Sequence, residues 1–191
     1  MIFLGMNKYI RKNMNKDIKI IDNFLTSSEL KEMQLHMLGH NFPWFYQDKV
    51  VGPKAEQEES PDNFQFVHNI YYLNKPNSTV YSEFIEPMFV RKLEKQLSLG
   101  ALIRIKLNLT LKTKNIEEIL PYHCDFPEPQ FKKSFTAVYY LNTNNGYTKF
   151  EDGTKAESIE NRFVVFPTPL KHTSATTSDQ KIRVVLVFNF F

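Results

Sequence analysis

From residue 101 onward the chain is cut into short apolar runs, and that punctuation limits its fold more than any other feature. Residues 101–112, 135–142, 148–150, 162–166 and 181–190 are rich in Val, Ile, Leu, Tyr and Phe. Turn material such as Asn142–Gly146 and Asp152-Gly153 separates them. Runs of this length, built from β-branched and aromatic residues between turn formers, read as strands. The first hundred residues have a different texture. Thr26-Ser27-Ser28-Glu29 has the form of a capping box, in which the Thr side chain takes a free amide and Glu reaches back. Leu30, Met33, Leu35, Met37 and Leu38 then follow a helical stripe, which Gly39 ends. A second helical pattern runs from Thr79 to Leu99 through Tyr81, Phe84, Ile85, Met88, Phe89 and Leu93, kinked or interrupted near Pro87 and stopped by Gly100. Helices followed by serial strands predict an α+β, mainly β protein, with its helices on one side of an antiparallel sandwich or barrel.

Residues 1–16 read as a basic extension and 17–191 as a single domain, because a chain of 191 residues is too short for two comfortable cores. Ile18, Ile20 and Ile21 read as a short strand, and alternation over Phe64–Leu73 suggests another. The segment 41–62 starts aromatic (Phe42, Trp44, Phe45, Tyr46) and ends acidic, which fits either a lid over a binding site or a stapled surface loop. A net charge of +3 is too small to favour nucleic acid, and no apolar run reaches the length of a membrane span. The first residues lack the long apolar core of a secretory signal, and the lone Cys124 leaves no internal disulfide. The expectation is a cytoplasmic protein. The sequence carries no signal of oligomeric state.

Chemistry concentrates at Tyr122-His123-Cys124-Asp125. On an extended segment His123 and Asp125 point to one face, offering an imidazole and a carboxylate to the same point, with Cys124 turned away as filler. A lone His-x-Asp is common by chance, so a third donor is required. The other histidines are His36, His40, His68 and His172. His36 and His40 are four apart, but Gly39 breaks the helix between them. His68 lies in strand-like sequence and reads as an ordinary half-buried residue. His172 follows a strand ending in Phe166-Pro167 and opens the polar loop HTSATTSD, as a ligand at a barrel mouth would. Two His and one carboxylate leave three open positions on a metal, the arrangement of non-haem Fe(II) oxygenases. Arg183, eleven positions on, stands in an almost wholly apolar strand, where a cation is costly unless paired. A dicarboxylate chelating a metal at one end and reaching Arg183 at the other explains both features.

His123-x-Asp125, His172 and Arg183 resemble the motif of the 2-oxoglutarate/Fe(II)-dependent dioxygenases, whose fold is a double-stranded β-helix of the jelly-roll type. Thr136–Asn142, followed by Gly146 and Thr148-Lys149-Phe150, resembles the second core strand and hairpin of the prolyl-4-hydroxylase-like branch. The resemblance spans about residues 100–191, extends weakly to Asp22-Asn23-Phe24-Leu25, and takes in small oxygenases carried by bacteriophages. It implies Fe(II) held by His123, Asp125 and His172, with 2-oxoglutarate as co-substrate and O2 as oxidant. Arg183 would bind the distal carboxylate of 2-oxoglutarate. Tyr140 matches a family tyrosine that contacts the same carboxylate, although it reads equally well as a core residue, and Asn108 matches a position that often adds a polar contact.

Departures from the family pattern refine this. Val185 stands where many relatives have a second, hydroxylic anchor. Asn189 replaces the further Arg of nucleic-acid demethylases, and Asp125 favours hydroxylation over halogenation. The implied reaction hydroxylates a C–H bond of a small-molecule or peptide substrate, proline-like as a first guess, releasing succinate and CO2. Lys132, Lys133, Lys149 and Lys171 would border the barrel mouth and could attract an acidic substrate. Two rival readings differ at Arg183: a non-catalytic metal-binding jelly-roll sensor, and a cupin-type dioxygenase that uses no 2-oxoglutarate, for neither of which Arg183 has a carboxylate to bind.

Overall fold

The computed structural model describes residues 17–48, 64–97, 99–119 and 121–191. The basic extension 1–16 and most of the acidic part of segment 41–62 lie outside them. In chain order the elements are β1 (Lys19–Ile21), α1 (Ser27–Met37), β2 (Phe45–Gln47), β3 (Gln65–Tyr72), β4 (Lys75–Pro76), a π-helical segment (Tyr81–Val90) running into α2 (Arg91–Leu97), and β5 (Leu102–Leu111). There follow β6 (Phe135–Tyr140), β7 (Tyr147–Phe150), β8 (Lys155–Glu157), β9 (Arg162–Pro167), β10 (His172–Ser174) and β11 (Ile182–Phe190). No helix among the described residues is long and apolar enough to cross a membrane.

The large sheet is ordered β1-β9-β6-β11-β5-β3-β2, with β4 paired to β3, and the small sheet β10-β7-β8. All named pairings are antiparallel. This is the jelly-roll arrangement with helices on one side. Alternation along the central strands decides what faces where. Leu107 and Leu109 of β5, Ala137 and Tyr139 of β6, Phe163 and Val165 of β9, and Val184, Leu186 and Phe188 of β11 pack with the helices. The intervening Val138, Tyr140, Val164, Phe166, Val185 and Val187 form a second core with Phe150 and Ala156 of the small sheet. Burial on both faces is why β6, β9 and β11 read as nearly unbroken apolar runs.

The capping box forms as the sequence predicts: Glu29 N–H donates to Thr26 Oγ1 (3.3 Å) and Thr26 N–H to Glu29 Oε2 (2.8 Å). One member of the proposed stripe departs from it. Met33 and Met37 are buried and Leu30 and Leu38 pack beside them, whereas Leu35 is 72% exposed. Residues two apart on a helix point to different sides, so Leu35 cannot share the Met33–Met37 face. Pro87 does not end its helix. It lies inside a π-helical segment whose Phe84, Ile85, Met88 and Phe89 are all buried, so packing outweighs the local penalty of the missing N–H.

Phe24 joins helices to sheet, stacking on Phe163 (4.4 Å between centroids) and on Phe89 (5.6 Å). The Asp22–Leu25 lead-in is fixed by β9. Arg162 makes a two-pronged ion pair with Asp22 (2.6 and 3.1 Å), and Asn161 bonds both the N–H and the carbonyl of Leu25 (2.8 and 2.9 Å). Trp44, read from sequence as part of a lid or a staple, is half-buried, packs against the helix-side core and lies 5.1 Å from the ring of Phe42. Trp44→Ala is therefore expected to lower stability by about 1–3 kcal/mol. Chemical denaturation measures this; an unchanged midpoint would mean that Trp44 is not part of the core.

Candidate metal centre

His123 and His172 are brought together by the backbone itself. Each N–H donates to the other's carbonyl (3.1 and 3.0 Å), an antiparallel bridge that places two directly opposed side chains on one face. Their ring centroids are 4.8 Å apart. In each ring Nδ1 lies 3.2 Å from the carbonyl two residues upstream, Pro121 for His123 and Leu170 for His172. A proton on Nδ1 donated there leaves Nε2 bare and pointing onward, the usual way of orienting a ligand imidazole. Burial holds the pKa of His172 below its ordinary value, which favours the neutral form that binds metal.

Asp125 completes the group: its carboxylate and the two imidazoles offer ligand atoms within 4.8 Å of one another. While the histidines are carried by the small-sheet side, Asp125 is held by the large sheet. Oδ1 pairs with Arg104 of β5 (3.1 Å), and Oδ2 accepts from Asn189 of β11 (2.8 Å) and Thr136 of β6 (3.3 Å). Burial alone would raise its pKa. Arg104, then His172, then the Asn189 bond outweigh that and hold it well below the usual carboxylate range, so it stays charged.

The group borders a cavity of about 300 Å³ between the two sheets, lined by the inward row Arg104, Lys106, Asn108 and Thr110 of β5 and by Arg183, Val185 and Val187 of β11. Arg183, 2% exposed, stands directly opposite Thr110. Its Nε donates to Ser158 Oγ (2.8 Å), Nη1 to Ser174 Oγ (2.9 Å) and Nη2 to the Tyr147 carbonyl (3.4 Å). All of these acceptors are neutral, so the guanidinium charge has no protein counter-ion among the described residues. Asn108 Oδ1 and Thr110 Oγ1 are buried without a hydrogen-bond partner, which costs roughly 1–3 kcal/mol each unless a ligand or water completes them. Bare Nε2 atoms, a charged carboxylate, orphaned polar atoms and a buried cation along one cavity fit a divalent metal with a dicarboxylate reaching from it to Arg183.

Tyr140 lies behind this wall rather than on it. Its ring faces the Arg183 guanidinium at 5.5 Å and its hydroxyl is bonded to Thr148 Oγ1 (2.8 Å) and the Ala156 carbonyl (3.1 Å). Cys124 does not turn fully away from the site: it borders the cavity and its thiol donates to the Pro169 carbonyl (3.1 Å). Only His123 of that segment is strand-paired, so strict alternation does not hold there. Burial pushes the Cys124 thiol up, keeping it neutral. His36 stacks on Phe84 (4.6 Å) and His68 bonds Pro43 and Ser78, so neither joins the metal group. None of Lys132, Lys133, Lys149 and Lys171 lines the cavity; Lys149 pairs with Glu118 (2.7 Å) and Lys171 with Glu151 (3.3 Å). The cavity's own cations are Arg104, Lys106 and Arg183. Arg104, Lys106, Thr136 and Asn189 escape a search for ligand motifs, although the alternating polar residues of β5 mark the first two.

No protein-family sequence model and no curated protein sequence matches the chain. Solved structures do share its fold. A 2OG-Fe(II) oxygenase family oxidoreductase from Burkholderia pseudomallei superposes with a TM-score of 0.61 at 13% identity, over 91% of this chain and 84% of that one. The α-ketoglutarate-dependent epimerase SnoN of nogalamycin biosynthesis gives 0.62 at 11% identity, over 92% and 78%. The viral collagen prolyl hydroxylase of Paramecium bursaria Chlorella virus-1, solved as a 2OG complex, gives 0.55 at 14% identity, over 92% and 96%. The chain therefore has the fold of the 2-oxoglutarate/Fe(II) oxygenases, prolyl hydroxylases included.

One packing constraint on the site can be isolated. A Cβ on Gly146 would lie 2.7 Å from Arg183 Cδ and 2.7 Å from the Thr176 carbonyl. Gly146→Ala is expected to cost about 1–3 kcal/mol by overpacking. Urea denaturation tests this, and full retention of stability would show that the Arg183 side chain is free to move.

Proposed function

We propose that this protein is an Fe(II)- and 2-oxoglutarate-dependent oxygenase that hydroxylates a C–H bond of a small-molecule or peptide substrate, with a proline-like compound the first candidate. The observation that carries the reading is the pairing, along one cavity, of the His123–Asp125–His172 group with the buried Arg183, which has no protein counter-ion among the described residues. A metal-binding sensor has no use for that cation, and a dioxygenase without a dicarboxylate co-substrate leaves it unpaired.

His123, Asp125 and His172 would hold the iron. Arg183 would take the distal carboxylate, with the Thr110 hydroxyl opposite it and Asn108 two residue pairs nearer the metal group. Tyr140 would act as a positioning residue, its ring against the guanidinium and its hydroxyl fixing Thr148. The iron, with 2-oxoglutarate and O2, supplies the oxidising power: the co-substrate loses CO2 to become succinate while a substrate C–H bond becomes C–OH. The protein's own part is placement. Arg104, Asn189 and Thr136 keep Asp125 ionised and fixed, and the apolar Val138, Val185 and Val187 limit water around the reacting atoms. The prolyl hydroxylase among the fold relatives is what supports a proline-like substrate.

The test is an anaerobic titration of metal-free protein with Fe(II) and then 2-oxoglutarate, followed by visible absorbance. A charge-transfer band is expected only when both are present. Arg183→Ala should raise the 2-oxoglutarate needed by about 10–100-fold, the loss of a charged hydrogen-bonded pair. His123→Ala or Asp125→Ala should cut substrate-coupled succinate formation by roughly a hundredfold or more while the fold survives. Full activity in His172→Ala would refute the metal assignment. Metal binding without the band would indicate a metal-binding module instead.

A further inference from the structure

The inner row of β5 contains one charged group that the oxygenase reading does not use. Arg104 is committed: Nη2 to Asp125 (3.1 Å), Nε to Asn189 Oδ1 (3.0 Å), and its guanidinium carbon 4.8 Å from the ring centroid of Phe126. Arg183 is assigned to the co-substrate. Lys106, between Arg104 and Asn108, makes no hydrogen bond or ion pair among the described residues. Lys106 is half-buried and feels only the through-space pull of Asp125, so an ammonium with no hydrogen-bonded partner there favours an anion in the cavity beside it.

The charge of the cavity points the same way. Its described lining carries three cations, Arg104, Lys106 and Arg183, against the single carboxylate of Asp125. A divalent metal and a doubly charged co-substrate cancel each other and leave that excess of two untouched. A neutral substrate would leave it standing in a partly enclosed site. Place matters as well as charge. Lys106 is opposite Val187 on β11, four residues along β5 from Thr110, which faces Arg183. Four residues of strand span about 13 Å, so the two cations serve opposite ends of the cavity. Because Arg104 touches Asp125, the Lys106 end is the metal end.

We propose that Lys106 binds a carboxylate of the primary substrate, so that the substrate is a small free carboxylic acid rather than an internal residue of a peptide. This rests on the oxygenase reading above and narrows it: of the proline-like candidates, the free imino acid and its relatives carry the required group, whereas a peptidyl proline does not. The cavity volume of about 300 Å³ agrees, being at the small end for ligand sites. Burial, then Arg104, push the Lys106 pKa down to about 8, against the pull of Asp125, so it remains a cation at neutral pH and a carboxylate beside it would raise the pKa again.

The experiment uses protein loaded with Mn(II) and 2-oxoglutarate, and reads proton relaxation of L-proline and propionate beside their amides, L-prolinamide and propionamide. The paramagnetic ion reports weak binding near the metal without turnover. Enhanced relaxation is expected for the acids and not for the amides. Lys106→Met should reduce it about tenfold or more, the effect of losing one charge-assisted hydrogen bond, and Lys106→Arg should retain it. Both variants should still form the Fe(II)–2-oxoglutarate band at the wild-type concentration. Equal relaxation of acids and amides, no enhancement by either acid, or full enhancement in Lys106→Met would overturn the proposal. So would a Lys106→Met protein that needs as much 2-oxoglutarate as Arg183→Ala, because Lys106 would then belong to the co-substrate. A wild-type protein that never forms the band fails the oxygenase reading instead. Calorimetry of acids against amides on metal-free wild type and Lys106→Met then still decides whether Lys106 is an anion site.

Discussion

A carboxylate that is to hold a metal must stay ionised in a place from which most water has been removed, and the way this protein keeps Asp125 charged organises the rest of its site. Desolvation works against the charge, and three strands of the large sheet answer it, β5 with Arg104, β11 with Asn189 and β6 with Thr136. Each partner is on the inner face of its strand. The register of these strands therefore sets the position of Asp125 as much as the segment that carries it. A slip of one residue in β5 would turn Arg104 to the helices and bring Ile103 or Ile105 to the carboxylate. The helix-side core, with Phe24 stacked between Phe89 and Phe163, resists that slip. Packing remote from the site is thus tied to its electrostatics.

The histidines depend on the other sheet. His172 is in β10, paired to β7, and His123 is held to it by two backbone hydrogen bonds outside any longer strand. The metal group consequently spans the interface of the two sheets: two donors from one side and one from the other. A metal there would link the sheets as well as serve chemistry. Arg183 repeats the pattern at the far end of the cavity, rooted in β11 but bonded to Ser174 and Tyr147 on the small-sheet side. The close approach of Gly146 to its side chain leaves room for no other residue.

Much of the fold was legible in the sequence because period-2 and helical patterns report burial directly. The capping box, the strands after residue 100 and the helices on one face of the sheet all carry local signals. Leu35 was misplaced because an apolar residue near a stripe is indistinguishable from one on it without counting helical angle. The kink or interruption expected near Pro87 takes the form of a π-helical segment, held in a continuous helical run by buried neighbours that no local rule weighs. β2 was not anticipated at all, since its Phe45 and Tyr46 are exposed on a short edge strand and lack the alternation that marks half-buried ones.

The metal group and Arg183 were legible for a different reason: ligand chemistry needs particular residue types, and a cation in an apolar strand is conspicuous. Their supporting residues were not. Asn189 invited attention from sequence only as the absence of an arginine, whereas in space it is the amide that fixes Asp125. Thr136 and Asn189 are ordinary strand residues until the sheet register brings them to one carboxylate from sequence positions 53 apart. Asn108 was singled out, and Arg104, Lys106 and Thr110 could have been found with it, because four polar residues at every second position of an otherwise apolar strand describe one wet face. That face separates two kinds of information. Residues proposed to hold metal and co-substrate are set by chemistry and can be read one by one. A residue proposed to choose the substrate, as Lys106 is, is set by what remains uncompensated once the others are assigned, and that remainder becomes visible only when the cavity has been assembled.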